Sequence, residues 1–273
     1  LILISGILFF WLIESNWPLF KFNNSKIKHA GLNIFFTITT ILVNFPLAFI
    51  FVKSSDWAIH AHFGVLEWLP TLPLWGQALV GLLFLDLIGA WFAHWIQHQV
   101  KWLWQFHLIH HTDHFVDTTT ANRHHPGESF IRFFFTVIAI LITGAPMWIV
   151  FLYQSMSVIL SQFNHANFDL PRWINRPLSR IIVTPNMHHI HHHFTKPYTD
   201  SNYGNIFAIW DHLFGTYRWL EQDQIHYGVD TYPDVDANGK INNLLKIPFQ
   251  AYRPSSDQEA TNIYSKNDQK HDG

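Results

Sequence analysis

Three short histidine clusters have spacings that can direct several imidazoles at one point. Residues three or four positions apart lie on one face of an α-helix, and the sequence uses these spacings repeatedly. Imidazole suits iron, zinc, copper and nickel. Eight imidazoles exceed the ligand number of a four-coordinate zinc site, so we expect two metal ions of higher coordination number. The clusters are His94/His98, His107/His110/His111 and His188/His191/His192.

Two further histidines are candidate ligands, because the predicted membrane segments return them to the same face. These are His125 and His165. His189 and His193 lie inside the third cluster but off its spacing, and we interpret them, with His124, as bystanders. Histidines without such neighbours are interpreted as structural or solvent-facing: His29, His60, His62, His212, His226 and His271.

The composition narrows the class of protein. The chain of 273 residues has no cysteine, which excludes disulfides, thiolate metal sites, iron–sulfur clusters and cysteine nucleophiles. A net charge of −2 provides no basic surface for nucleic acid. Charged residues make up 13% of the chain, whereas a soluble domain has roughly 25%. The low charge content indicates a lipid environment.

Four apolar blocks predict the elements that position the histidines. Residues 30–52 and 72–93 are long enough to cross a bilayer, which takes roughly 20 apolar residues. Residues 1–13 are fewer, and we expect a partial membrane segment there. Residues 130–163 are too many for one span, and Gly144-Ala145-Pro146 in their middle predicts a break. We expect two short helices that enter the membrane and return to the same face as a re-entrant hairpin.

The lysine distribution predicts the orientation. Lys21, Lys26 and Lys28 place the loop after the first block in the cytoplasm, and the hairpin then brings both histidine-rich stretches to that side. The expected fold is an all-α, multi-pass transmembrane helical protein with a cytoplasmic histidine-rich helical cap. Residues 1–163 would form the membrane part, 164–252 the cap and 253–273 a disordered tail. The short chain without a fused domain suggests a bacterial inner membrane.

From about Asp86 to Arg218 the chain resembles the fatty acid hydroxylase superfamily, also called the sterol desaturase family. That family has H-x3-H or H-x4-H followed by two H-x2-H-H boxes. The resemblance extends to Arg123-His124-His125-Pro126, which is similar to R-F-H-P, to Thr184-Pro185 before the third cluster, and to N-Y-G at 202–204 and W-D-x-L-F-G-T-Y at 210–217. The chain departs from the family at Trp95, where relatives often have arginine, and at His124, which replaces an aromatic residue.

The resemblance implies a membrane enzyme with two iron ions, O2 as co-substrate, a lipid substrate and a separate electron donor. Members hydroxylate or desaturate fatty acyl chains and sterols, and some cleave alkyl glycerol ethers. The sequence leaves these reactions open, together with the lipid and the carbon attacked. Zinc is the tighter competitor for imidazole and can replace iron in a purified sample.

Histidine ligands need partners that fix their tautomer. The candidates for this role are Asp86, Asp113, Asn122, Glu128 and Asp211. A carboxylate in a membrane segment is costly, so Asp86 is expected either to support the site or to bond two helices together. The substrate is expected to arrive from the bilayer through an apolar channel. Phe133, Phe134, Phe135 and Trp148 could line this channel or face the lipid.

Two other classes stay open at this point. A membrane haem protein would hold its iron between histidine pairs on adjacent spans, and those histidines should lie within the bilayer. A metal transporter would place ligands near the middle of the membrane, where only Asp86 is expected. The predicted position of the histidines at the membrane edge favours the oxygenase over both.

Overall fold

The computed structural model describes residues 1–22, 25–69 and 71–255. Within these ranges the chain is helical, and the only extended pairings are two isolated bridges, Ile182–Phe207 and His193–Tyr227. The predicted all-α class is therefore confirmed. Most of the predicted tail (256–273), together with His271, lies outside the described residues.

Three helical runs are long and apolar enough to cross a membrane by length and composition, among the described residues: Lys26–Trp68, Leu74–Gln99 and Pro126–Thr143. The helices of this half are α1 (Ile2–Asn16), α2 (Lys26–His60), α3 (Val65–Trp68), α4 (Leu74–Asp86), a π-helix (Leu87–Phe92), α5 (Ala93–Gln99), α6 (Lys101–His111), a 3-10 turn (Thr118–Asn122), α7 (Pro126–Thr143) and α8 (Met147–His165). Large apolar side chains such as Phe45 and Trp75 are 82% and 73% exposed, which fits helices that face lipid.

The structure breaks the fourth apolar block at the predicted glycine. Gly144 adopts φ +66° and ends α7, while Pro146 caps the beginning of α8. The break packs tightly on the turn between α2 and α3, since a methyl group on Gly64 would lie 2.3 Å from the Gly144 nitrogen. With 18 and 19 residues, α7 and α8 are longer than the expected short pair, each roughly 27 Å or more. The far ends of both helices reach the histidines.

A π-helix, Leu87–Phe92, interrupts the run Leu74–Gln99 just before the first histidine cluster. Such segments with i→i+5 hydrogen bonds are rare and frequently mark functional sites. Its Gly89 lies against α7 and α8, where a methyl group would be 3.3 Å from the Tyr153 hydroxyl. The segment thus sets both the rotation of α5 and the close approach of α7 and α8.

Short helices and loops from residue 166 onward cover the histidine end of the bundle. Thr184 caps α10 by accepting from the Met187 amide, and Pro185 takes the first helical position, so the Thr-Pro pair starts the helix of the third cluster. The remaining helices are α9 (Arg172–Leu178), α10 (Pro185–His191), α11 (Ile209–Leu213), α12 (Val235–Asn238), α13 (Ile241–Lys246) and 3-10 turns at Gln222–Gln224 and Ile247–Phe249.

A core of fully buried apolar side chains joins α4, α7 and α8. It includes Leu85, Ile140 and Ile149, each with no exposed surface. Burial of each such side chain contributes roughly 1.5–3 kcal/mol relative to water exposure. This core fixes the helices that carry the first cluster and His165.

Candidate metal centre

Nine histidine side chains converge to form two adjacent groups, and all nine are among the predicted ligands. In each group the nitrogens that could bind a metal ion lie within 4.8 Å of one another. Group A contains His94, His98, His107, His111 and His191, and group B contains His110, His165, His188 and His192.

The helical repeat explains how each cluster divides between the groups. Successive residues of an α-helix are rotated by about 100°, so residue i+4 lies about 40° from residue i, and residue i+3 about 60° to the other side. Pairs at i and i+4 therefore stay together, and the histidine at i+3 enters the opposite group. The pairs are His94/His98, His107/His111 and His188/His192, and the crossing residues are His110 and His191.

Distances between ring nitrogens match those of ligands around one ion. Nε2 of His107 lies 3.0 Å from Nε2 of His94 and 3.2 Å from Nε2 of His111. In group B, Nε2 of His165 lies 3.1 Å from that of His110 and 3.0 Å from that of His188. Two nitrogens that each lie about 2.1 Å from one ion, with an angle of about 90° between the two bonds, are about 3.0 Å apart.

Hydrogen bonds from Nδ1 leave Nε2 as the lone-pair nitrogen in five of these imidazoles. His107 donates to Glu128 Oε1 at 2.8 Å, and His98 donates to Asp200 Oδ1 at 3.1 Å. The other three donate to backbone carbonyls at 2.7–2.8 Å: His94 to Tyr203, His165 to Ser161 and His191 to Ser201. Lone pairs that face each other, as in His94 and His107, repel unless a cation lies between them.

Several buried ring nitrogens have no hydrogen-bond partner among the described residues. They include Nε2 of His98, His191 and His192. Buried polar atoms are nearly always paired, and an unpaired one costs about 1–3 kcal/mol. A metal ion would satisfy these atoms, so the residues present fit one ion in each group.

Burial keeps these imidazoles in the neutral form that binds metal. Desolvation lowers the pKa of His107 to about 4, although Glu128 opposes the shift. Desolvation and neighbouring imidazoles together lower the pKa of His110 and His191 well below the ordinary value. Since only neutral imidazole is a ligand, the site is ready for metal at neutral pH.

Asp86 and Asp211, both expected near the site, hold the loop that begins at Tyr203. Asp211 accepts from the backbone amides of Tyr203 and Gly204, each at 2.9 Å. Asp86 accepts from the amides of Ile206 at 3.2 Å and Phe207 at 3.0 Å. Because the Tyr203 carbonyl accepts the His94 proton, both carboxylates support the site through this loop.

Asp113 and Asn122, also expected near the site, make other contacts. Asp113 pairs with His29 at 2.9 Å and accepts from the Thr120 hydroxyl at 2.8 Å. Burial alone would raise the pKa of Asp113, but the charges of His29 and Arg123 hold it well below the ordinary value. His29 is therefore structural and largely buried. Asn122 ends the 3-10 turn and lines an apolar cavity of about 600 Å³.

His125 lies outside both groups and begins α7. Its Nδ1 accepts from the Gly127 amide at 2.9 Å, as a helix cap. The neighbouring His124 directs Nδ1 to Glu128 Oε2 at 3.0 Å and Nε2 to the Ala121 carbonyl at 3.1 Å. Both nitrogens of His124 thus face oxygen atoms, and His124, His107 and Glu128 form a further small group whose possible ligand atoms lie within 4.8 Å of one another.

Sequence reasoning missed Asp200 and the carbonyls of Ser201 and Tyr203. Asp200 stands in a loop without periodicity, so no spacing signals its contact with His98. Tyr203 lies in the family-like N-Y-G segment, which was the available signal for this loop.

Two cavities meet at the centre. A small one of about 30 Å³ is lined by His94, His107, His110 and His188. A larger one of about 600 Å³ lies between α2, α7 and α8. Both are lined by Gly89, His124, Arg132 and Ser161. Of the four aromatic residues considered for a channel, Phe133 lines the larger cavity, whereas Phe134 is 58% exposed.

The chain is similar to several lipid-modifying proteins. It is 28% identical over 175 residues to ornithine lipid hydroxylase OlsE of Rhizobium tropici (64% of this chain, 50% of the relative). It is 32% identical over 173 residues to alkylglycerol monooxygenase of Danio rerio (63% and 36%). It is 30% identical over 147 residues to a cholesterol 25-hydroxylase-like protein of Danio rerio (52% and 55%).

The matched region thus spans about a third to somewhat over half of the length of these relatives. No solved structure shows significant similarity to the chain. The family model for fatty acid hydroxylase matches residues 78–216, which are half of the chain and include all nine grouped histidines. The chain therefore belongs to the fatty acid hydroxylase family.

Proposed function

We propose that this protein is a membrane oxygenase that hydroxylates a C–H bond of a lipid, using two histidine-bound metal ions, O2 and two external electrons. The observation that carries the proposal is the pair of imidazole groups, whose buried lone pairs converge where an apolar cavity between membrane helices ends. The names of the relatives, hydroxylases and monooxygenases, support insertion of oxygen over desaturation.

The balanced reaction is R–H + O2 + 2 e⁻ + 2 H⁺ → R–OH + H2O. When bound, iron would supply electrons to O2 and generate the oxidant. Imidazole ligands are neutral, so they leave the positive charge of the ions available to a reduced, anionic form of oxygen. Zinc would fill the same groups without redox activity.

The protein's own residues orient the ligands and exclude water. Glu128 and Asp200 hold His107 and His98 through Nδ1. The cavity of about 30 Å³ at the histidines has room for about one water molecule, so a porphyrin does not fit there. This argues against the haem alternative.

The substrate would enter from the bilayer. The cavity of about 600 Å³ is lined in part by apolar residues of helices that are candidate membrane spans, including Ile41, Phe45 and Phe133. This position suits an acyl or alkyl chain, which partitions from the lipid without crossing water.

The orientation also belongs to this proposal. The beginning of α2, with Lys26 and Lys28, lies on the histidine side, because its His29 pairs with Asp113 just after the second cluster. A lysine-rich side faces the cytoplasm, so we place the metal centre there, with residues 164–252 as its cap. The bacterial inner membrane, the separate electron donor and the tail at 253–273 remain predictions.

The test has two measurements on protein produced in a host membrane. Metal analysis of wild type should find two ions per chain, one for each group, and His191→Ala or His192→Ala should lower this content. His62→Ala is the matched control, since that side chain is 86% exposed. Lipids of cells with wild type should contain species heavier by one 18O atom after growth in 18O2. Near-zero metal after anaerobic iron loading, or labelled lipids that persist in His191→Ala, would overturn the proposal.

A further inference from the structure

The large apolar cavity changes character along its length. Aromatic and aliphatic residues such as Phe45, Phe49, Phe133 and Phe151 make up much of its lining away from the histidines. Toward the histidines the lining becomes polar. The polar residues near the histidines are Asn122, Ser129, Arg132, Ser157 and Ser161, while Thr40, Asn44 and Gln154 line the remainder together with the apolar residues. A cavity with one charged, polar end and a mostly apolar remainder fits an amphiphile in a single direction.

Helical spacing builds this polar end. On α7, Ser129, Arg132 and Thr136 lie three and seven positions apart, so they share one face. On α8, Ser157 and Ser161 lie four apart and face the same space. The Ser157 hydroxyl also accepts from the Asn205 amide at 2.7 Å. The two faces meet across the cavity close to the metal centre.

Arg132 brings a positive charge to this end and pairs only at long distance with a carboxylate, that of Glu128. Among the described residues around the cavity, Arg132 is the only lysine or arginine, and none is acidic. Its nearest carboxylate oxygen is Glu128 Oε1, at 3.8 Å from Nη1, which is beyond hydrogen-bond distance. That oxygen already accepts from His107 at 2.8 Å. The guanidinium donates no hydrogen bond to a described residue. Its planar set of N–H donors is therefore available to a ligand in the cavity.

We propose that Arg132 binds an anionic oxygen group of the lipid substrate, a carboxylate or a phosphate, at the polar end of the cavity. Guanidinium binds both groups through two parallel hydrogen bonds. This inference rests on the proposed function and specifies its substrate class: an acidic amphiphile whose chain lies in the apolar end.

The position of Arg132 also limits which carbon can react. Glu128 Oε1 lies 3.8 Å from Nη1 of Arg132 and 2.8 Å from Nδ1 of His107, a member of group A. A head bound to Arg132 is therefore close to the metal centre, while the end of the chain lies far from it. The oxidised carbon should be near the head.

The test measures binding without turnover. Zinc-loaded protein in a neutral detergent is incubated under nitrogen with radiolabelled oleate, hexadecyl phosphate or oleyl alcohol. Wild type should bind at least one of the two anions about tenfold more tightly than the alcohol. Arg132→Gln should remove this preference and leave alcohol binding unchanged, and Arg132→Lys should keep part of it. Lys101→Gln is the matched control, an exposed cation that lies over the Tyr252 ring.

The two anions identify the head, since a preference for oleate indicates a carboxylate and one for hexadecyl phosphate indicates a phosphate. Equal binding of anions and alcohol by wild type would overturn the proposal, even if the variants fail to fold. A preference that survives Arg132→Gln would also overturn it. The binding assay contains no O2, so either of these failures would leave the proposed oxygenase function untouched. The measurements of metal content and of 18O-labelled lipid test that function separately.

Discussion

Replacing Glu128 by glutamine should weaken metal binding in group A. The Glu128 carboxylate has no exposed surface and accepts from His107 at 2.8 Å and from His124 at 3.0 Å. Through the first contact it keeps the His107 proton on Nδ1 and the lone pair on Nε2. Glutamine has nearly the same volume and keeps one acceptor oxygen, but it loses the negative charge.

The expected magnitude follows from the bond that is lost. Glutamine can still accept from one imidazole, so one charge-assisted hydrogen bond of about 2 kcal/mol disappears. Since 1.4 kcal/mol is a factor of ten in affinity, we expect a loss of roughly 30-fold. This value lies within the 10- to 100-fold typical of carboxylates that hold a metal-binding histidine.

The assay is competition with a chelator of known affinity, in detergent, with the retained metal measured by elemental analysis. Glu67→Gln is the matched control, because Glu67 also contacts an imidazole, at 3.3 Å, but its partner His62 is 86% exposed. The control should behave as wild type. Wild-type affinity in Glu128→Gln would refute the idea that this carboxylate orients His107.

Three further predictions use the same preparation. Asp200→Asn should cost about tenfold or less in metal affinity, because Asp200 is 24% exposed and also pairs with Lys196 at 2.9 Å; a loss above that of Glu128→Gln would contradict this ranking. His125→Ala should keep both ions and lose only a helix cap worth about 1 kcal/mol, which would lower the Tm. His165→Ala, in contrast, should remove the ion of group B. Loss of metal from His125→Ala would show that His125 is a ligand. Acidification of metal-free protein from pH 7 to 5 should lower its stability, since the pKa of His107 falls from an ordinary 6.5 to about 4 on folding. Below pH 6.5 the unfolded chain binds more protons than the folded one, so the free energy of unfolding is at its full value above about pH 6.5 and falls by about 2 kcal/mol by pH 5 through this histidine. A Tm that is constant over this range would refute the shift in pKa.

Local helical geometry made much of the site predictable from the sequence. The i, i+3 and i+4 spacings of His107, His110 and His111 already place their side chains on one side of a helix. Gly144 and Pro146 likewise mark the end of one helix and the beginning of the next, because a left-handed residue and a missing N–H act locally. These features need no knowledge of the tertiary structure.

The remaining features depend on contacts between distant parts of the chain. Asp200 reaches His98 across 102 positions, and the Tyr203 carbonyl reaches His94 across 109. A backbone carbonyl has no side-chain signature, so such partners are invisible to spacing arguments. His29 was interpreted as structural or solvent-facing, and only the fold brings Asp113 next to it.

The π-helix at Leu87–Phe92 also determines how this chain tolerates changes in length. It sets the rotation between two parts of one helical run. Leu85, before it, packs in the bundle core, and His94, after it, belongs to group A. Deleting one residue of the segment would let the run close as a regular α-helix and turn the following residues by about 100°. His94 and His98 would then leave group A together, although neither had been replaced. A single-residue deletion here should therefore resemble the loss of both histidines, which makes the length of this segment as much a part of the site as its ligands.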